Sequence, residues 1–377
     1  MTRYLGALAA LVAAALGAGP APAAPPDPQQ LMASAMGEAP APPAMGVLVI
    51  RDGLVAEVAV RGVRSLDTGI AVRPDDRWHL GSDGKAITAV MIARLVEAGR
   101  LSWSAPLHRL LPTTAMRPEY RDVTLAELLT HTAGIAEPAD ALLLDFLKDS
   151  RPLPRQRMEW TRAALAMAPV GPRGQADYSN TGYVIAAVVA EQATGKSYER
   201  LVTEQVLEPL GLTSATFDPA GLPGDIVGHL DGAATGPLET NPPMWGPAGG
   251  LRMSLRDWAR FCIDQMEGAR GRGALLSPEG YRRLHAPSDD GSAMGWQVMG
   301  EFAGRRGPIL QHSGSDGNWF VAAALFPESR DGLLVVANAG RSMNGNDATM
   351  KVAMPVLQTL SSSVKAADDR PRPEGSR

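Results

Sequence analysis

Strand-like patterns stand at the two ends of this chain, and helical ones fill its middle. Met45 to Ile50 and Leu54 to Val60 are apolar, β-branched runs separated by Arg51-Asp52-Gly53, and Asp-Gly between such runs predicts a tight hairpin. After about Ala286 comparable runs return at Gly295 to Met299, Ile309 to Gln311, Trp319 to Phe326 and Leu333 to Ala337. Between the two groups, apolar residues recur at helical spacing over Lys85 to Val96, Thr124 to His131, Ala139 to Lys148, Arg157 to Met167, Thr181 to Gln192, Tyr198 to Leu207 and Ser254 to Met266. Gly99 is a stop for the first of these helices, and Ser254, with Asp257 three residues on, is a capping-box start for the last. A lone hairpin is marginal in water, so the N-terminal strands need the C-terminal ones to complete a sheet. The expected fold is α/β of the α+β type: an antiparallel sheet built from N- and C-terminal strands, flanked by helices, with an inserted, mainly helical subdomain. The sheet part covers about 44–84 and 286–362 and the helical part about 85–285. A final helix is expected over Asp347 to Leu360 despite Pro355, followed by a disordered tail over 363–377.

With 377 residues and 45% hydrophobic content the chain can bury a large core, which excludes global disorder. Its 36 basic and 40 acidic residues include no dense Lys/Arg run, so there is no basic footprint for nucleic acid. Cys262 stands alone, which rules out an intramolecular disulfide or a cysteine zinc site and suggests a small buried side chain. Histidines at 79, 108, 131, 229, 285 and 312 never take the spacing that places two ligands on one helical face. The expectation is no metal, no cofactor, and no partner beyond a small-molecule or peptide substrate. No motif specifies an oligomeric state.

Arg3, the apolar stretch Tyr4 to Leu16 and Ala21-Pro22-Ala23 follow the order of a cleavable export signal. Residues 1–23 are therefore expected to be a signal peptide, and the mature protein periplasmic or secreted, without a stable membrane anchor. Residues 24–43, rich in Ala and Pro, form a poorly packed lead-in with Gln29 to Met36 as a short helix candidate.

Three segments carry candidate chemistry. In Gly81-Ser82-Asp83-Gly84-Lys85, at the start of the first long helix, Ser82 and Lys85 share a helical face. A desolvated lysine can take the serine proton, and the helix N-terminus offers N–H groups to an oxyanion. Tyr178 and Asn180, two apart before another helix, can face one side. They offer a proton shuttle and an amide for substrate, or alternatively a packed ring and a helix cap. Gln311-His312-Ser313-Gly314-Ser315 ends a strand; Gly314 admits close approach and the next N–H could complete an oxyanion hole, although the same residues also suit an ordinary turn. Leu80 stands where a Gly-x-Ser-x-Gly elbow needs its first glycine, which argues against an α/β-hydrolase. His131 is expected to stabilise a turn, and Trp245, Trp258 and Trp319 to line core or cleft.

In this order and at these separations, the segments resemble the active-site elements of serine β-lactamases and penicillin-binding proteins, in particular class C β-lactamases, D-alanyl-D-alanine carboxypeptidases and related esterases. Leu128 to Gly134 and Pro247-Ala248-Gly249-Gly250-Leu251 are similar to two further loops of the family, with Ala133 where relatives have Ser. The resemblance covers about 40–360. It implies a serine hydrolase domain over 44–362, with Ser82 acylated, Lys85 as proton acceptor and Tyr178 as acid/base partner. Asn180, His312, Ser313, Gly314 and Ser315 would bind substrate, and the N–H groups of Ser82 and Ser315 would form the oxyanion hole.

Gly84 departs from the Thr or Ser of relatives and loosens the first helical turn. His312 replaces the Lys of β-lactamases; an ordinary imidazole is neutral above about 6.5, which favours ester or peptide over lactam substrates. The competing class is a non-catalytic cell-wall or ligand-binding member. The leader gives the first prediction: intact mass of protein recovered from periplasm or medium should show a chain starting near Ala24, and an exported form still carrying Thr2 would contradict it.

Overall fold

The computed structural model describes residues 26–218, 225–235, 241–302 and 305–368. The expected signal peptide, 1–23, and residues 369–377 lie outside them. The strands are β1 (Ala44–Arg51), β2 (Leu54–Gly62), β3 (Arg77–His79), β4 (His229–Leu230), β5 (Ala233–Ala234), β6 (Arg252–Ser254), β7 (Gln297–Phe302), β8 (Arg305–Gly314), β9 (Phe320–Phe326) and β10 (Asp331–Ala337). The helices are α1 (Pro28–Ala35), α2 (Gly84–Glu97), α3 (Leu107–Leu110), α4 (Leu125–Leu129), α5 (Asp140–Leu147), α6 (Leu153–Ala166) and α7 (Asn180–Thr194). They continue with α8 (Tyr198–Val202), α9 (Glu208–Leu210), α10 (Gly246–Gly249), α11 (Leu255–Ala269), α12 (Pro278–Leu284) and α13 (Gly345–Asp368).

One antiparallel sheet runs β2-β1-β10-β9-β8-β7, so the two ends of the chain meet where β1 pairs with β10, Met45 opposite Ala337. The Asp52-Gly53 corner turns β1 into β2 with both residues at positive φ, 50° and 75°, as a hairpin turn of matching twist requires. The continuous apolar runs follow from cover on both faces. Leu48, Ile50, Leu334 and Val336 point into the core shared with α2, α7 and α11. Met45, Val47, Val49, Leu333 and Val335 point the other way, against α1 and α13. The mixed α/β architecture and its mainly antiparallel sheet are those expected.

Several local readings change. The lead-in is packed: Met32 of α1 is fully buried in the second core, because Asp27 caps Pro28–Ala35 and turns an apolar edge onto the sheet. The last helix runs to Asp368, so 363–368 are helical where a tail was expected; the Ala- and Lys-containing sequence sustains helix once a long one is nucleated. Ser254 caps α11 by accepting from Asp257 N–H at 3.3 Å, yet the Asp257 carboxylate completes no box. It accepts instead from the N–H and hydroxyl of Ser214, both at 2.7 Å. Strand β8 extends through Gly314, which places His312 to Gly314 inside the sheet.

The short β3–β6 pairing, Trp78 opposite Met253, brings the start of α2 beside 246–250. Gly84 there has φ −59°, and a Cβ on it would meet Gly249 Cα at 3.8 Å and Leu251 Cβ at 3.9 Å, ordinary contacts. Gly84→Ala should therefore stabilise by about 0.5–1 kcal/mol through helix propensity, raising Tm by about 1–3 °C. Gly314→Ala should lower Tm, because its Cβ would fall 2.5 Å from Leu80 O and 2.6 Å from Ser82 N. Thermal denaturation of both variants checks the contrast.

Candidate active site

Ser82 lies on the single turn Gly81–Asp83 that joins β3 to α2, and Lys85 is in the first turn of α2, on the face that looks back at it. Lys85 is fully buried. Its Nζ is 3.1 Å from Ser82 Oγ, 2.7 Å from Asn180 Oδ1 and 2.6 Å from Ala248 O, with the ring faces of Tyr178 and Tyr183 at 4.9 and 5.5 Å. Burial disfavours the ammonium and brings the Lys85 pKa down to about 7, against the opposing pull of Glu137 and Asp83. The two shortest contacts are to carbonyl oxygens, which only accept. A neutral amine spends its two N–H bonds on them, and its lone pair is left for the Ser82 hydroxyl.

Tyr178 donates its O–H to Ser82 Oγ at 2.7 Å. The residue is 39% exposed along the cleft, but its hydroxyl is set inward, and that desolvation raises the phenol well above its ordinary value. It is therefore a protonated donor at neutral pH. His131, at φ 61°, stacks on Tyr178 at 4.5 Å and accepts from Ser179 N–H at Nδ1, 3.0 Å, so it fixes the turn that aims the phenol. Burial keeps its imidazole neutral down to about 3. The helix cap of α7 is Ser179, which accepts from Gly182 N–H at 3.1 Å. Asn180 is thereby free to spend its side chain on Lys85.

Three glycines set the third part. A Cβ on Gly81 (φ +50°) would lie 2.9 Å from Ser315 N, one on Gly314 2.6 Å from Ser82 N, and one on Gly249 2.8 Å from Gly81 O. Backbone packs directly on backbone here, and the peptide N–H groups of Ser82 and Ser315 are gathered at the end of β8, the arrangement an oxyanion needs. The exposed Ser315 closes its turn by donating its hydroxyl to Trp319 O at 2.6 Å. Ser313, half-buried, pairs with Ala322 on β9.

His312 lies beside this group but is not an ordinary imidazole. Its Nδ1 is 2.7 Å from Gly295 O; a carbonyl only accepts, so Nδ1 carries the proton. Gly295 is itself pressed onto α2, where a Cβ would sit 2.4 Å from Ala86 Cα. Burial brings the His312 pKa down to about 4, with the Lys85 charge acting in the same direction. The charge change expected near 6.5 is thus displaced to acid pH, and Nε2 of the neutral ring is a hydrogen-bond acceptor.

Ser82, Lys85, Tyr178 and Asn180 meet in one hydrogen-bonded group, and Gly314 and Ser315 pack against the turn that carries Ser82, whereas Trp245 packs on Trp160 in a separate cluster. Reading the sequence missed the carbonyl of Ala248, although its loop was noted, and Glu137, which no spacing marks. Among the described residues no group of three or more His, Cys, Asp or Glu could hold a metal ion, and Cys262 is buried.

The sequence model of the family described as beta-lactamase matches residues 29–353. The chain belongs to the beta-lactamase family. Penicillin-binding protein 4 of Amycolatopsis lactamdurans is 31% identical over 68% of this chain and 66% of that protein, just under two thirds of its length. The D-alanyl-D-alanine-carboxypeptidase/endopeptidase AmpH of Escherichia coli K12 is 26% identical over 77% and 78% of the two chains. Among solved structures, D-alanine carboxypeptidase AmpC from Burkholderia cenocepacia shares the fold with a TM-score of 0.67 at 20% identity, over 86% of this chain and 98% of that one. Membership supports serine hydrolase-type chemistry, and the site's electrostatics say where in pH it should appear. If neutral Lys85 takes the serine proton, labelling of Ser82 by a fluorophosphonate should fall about tenfold per pH unit below about 7. His312 and His131 titrate too low to share that limb. A rate unchanged from pH 8 to 5 would exclude Lys85 as the acceptor.

Proposed function

We propose that this protein is an exported serine hydrolase that forms an acyl-enzyme on Ser82 and releases it to water, acting on an ester or D-amino-acid peptide in preference to a β-lactam. The observation that carries the reading is the buried Lys85 amine, with Asn180 Oδ1 and Ala248 O at 2.7 and 2.6 Å and Ser82 Oγ at 3.1 Å: once neutral, it can give its N–H bonds to the two carbonyls and turn its lone pair to the serine hydroxyl. The oxygen of Ser82 attacks the substrate carbonyl carbon as the hydroxyl proton passes to Lys85. The carbonyl electron pair moves onto oxygen, between the N–H groups of Ser82 and Ser315. Collapse breaks the bond to the leaving group, which takes a proton from the pool held by Lys85 and Tyr178. Water repeats the sequence on the acyl group, giving up a proton as Ser82 recovers its own.

Neutral His312 supports the substrate preference. A permanent ammonium attracts a carboxylate throughout the neutral range, whereas this imidazole offers no charge above about 4. Export rests on the leader sequence alone. At a pH of about 7.5, aryl esters should be turned over with higher kcat/KM than penicillins, and lowering the pH by about two units should not rescue penicillin. His312→Lys should shift the ratio several-fold towards the lactam, the size expected of one partly exposed charge pair. Ser82→Ala should abolish turnover of both substrates and labelling at that position. Retained turnover in the Ala variant would place the nucleophile elsewhere, and a wild type that prefers penicillin would overturn the preference.

A further inference from the structure

Glu137 belongs to none of the motifs, yet it holds the residue that holds Lys85. It follows the His131 turn by six residues and is half-buried. Its Oε1 accepts from the backbone N–H of Asn180 at 2.7 Å and of Thr181 at 3.4 Å. With Ser179 holding Gly182 N–H, the first turn of α7 has its free donors satisfied, two of them by a carboxylate where the helix dipole favours negative charge. The residue anchored in this way is the one whose Oδ1 holds Lys85 Nζ.

We propose that Glu137 is a positioning residue that acts on Lys85 through α7: it clamps Asn180 against the amine and acts on that amine by its charge. The inference rests on the reading of Lys85 as acceptor of the Ser82 proton. The groups facing Lys85 are Ser82 and Asp83 on its own segment, Tyr178, Asn180 and Tyr183 on and before α7, the Ala248 carbonyl, His131, His312 and Glu137. His131 and His312 remain neutral through the working range. Asp83 is buried with neither carboxylate oxygen hydrogen-bonded, a setting that suppresses its charge. Glu137, by contrast, accepts from two backbone N–H groups. Among the forces that hold the Lys85 proton on, it acts most strongly.

Removing the charge should make Lys85 a base at lower pH. The acid limb of Ser82 labelling by a fluorophosphonate should therefore move down by about half to one unit in Glu137→Gln. The Gln oxygen can still accept from Asn180 N–H, so its plateau should stay within a few-fold of wild type. Glu137→Ala should show the same displacement with a lower plateau, and Glu137→Asp, which keeps the charge, should leave the limb in place. The limb is read from normalised profiles, so loss of amplitude or of part of the folded fraction does not mimic a shift. Limbs unmoved in both Gln and Ala variants would reduce Glu137 to a structural cap and overturn the proposal. A wild type that is not labelled at Ser82, or that shows no acid limb, would instead defeat the underlying assignment of Lys85.

Discussion

A lysine amine without solvent access is the constraint around which this molecule is arranged. An ammonium moved out of water costs far more than a single hydrogen bond returns, so the fold must either surround Lys85 with acceptors or let it lose its proton. It does both in part. Asn180 Oδ1 and Ala248 O come from α7 and α10, elements brought to the start of α2 from distant parts of the chain, and two tyrosine faces close the remaining sides. The three helices can meet there because they are buried almost all round, as the dense apolar pattern of α2 shows. The amine is held poised because the core is built against it.

The second requirement is backbone proximity. An oxyanion pocket needs two peptide N–H groups from different segments within one atom's reach, and side chains between those segments would hold them apart. Around Ser82 and Ser315, a Cβ on Gly81, Gly249 or Gly314 would strike the backbone of another segment. The end of β8, the turn before α2 and the end of α10 therefore pack without intervening atoms. Gly84 is different in kind, since nothing near it excludes a side chain. Its departure from the family is a matter of helix propensity rather than of space.

Much of this was legible in the sequence, and what was not has identifiable causes. Asp52-Gly53 announced its hairpin because only a turn with positive φ joins such strands without splaying them. The terminal strands announced a shared sheet because a lone N-terminal hairpin is marginal in water. Ser82, Lys85, Tyr178, Asn180 and Ser315 could be singled out because the chemistry expected of them demands short, fixed spacings within each segment. Asp257 was misjudged because a cap satisfied locally competes with Ser214, distant in sequence and adjacent in space. Met32 was placed in a loose lead-in because its burial depends on α13, at the far end of the chain. His312 was read with an ordinary pKa because desolvation is a property of the packed site, invisible in a tripeptide. Glu137 escaped notice for the same reason: its role lies in which N–H groups it reaches.

Burial disfavours the charged form of the imidazoles around Ser82: His79 below its ordinary value, His131 down to about 3 and His312 down to about 4. Tyr178 is held protonated from the other side of the scale. Of two nearby acids, Asp83 is deprived of donors and Glu137 is supplied with them. Desolvation thus silences the groups that would otherwise titrate in the neutral range and brings one that would not, Lys85, into it. A site that relied on a surface-like histidine as base would change its substrate field and its basicity together as pH varied. Here the two are separated: the His312 ring keeps one charge state through the neutral range, and Lys85 changes its own there.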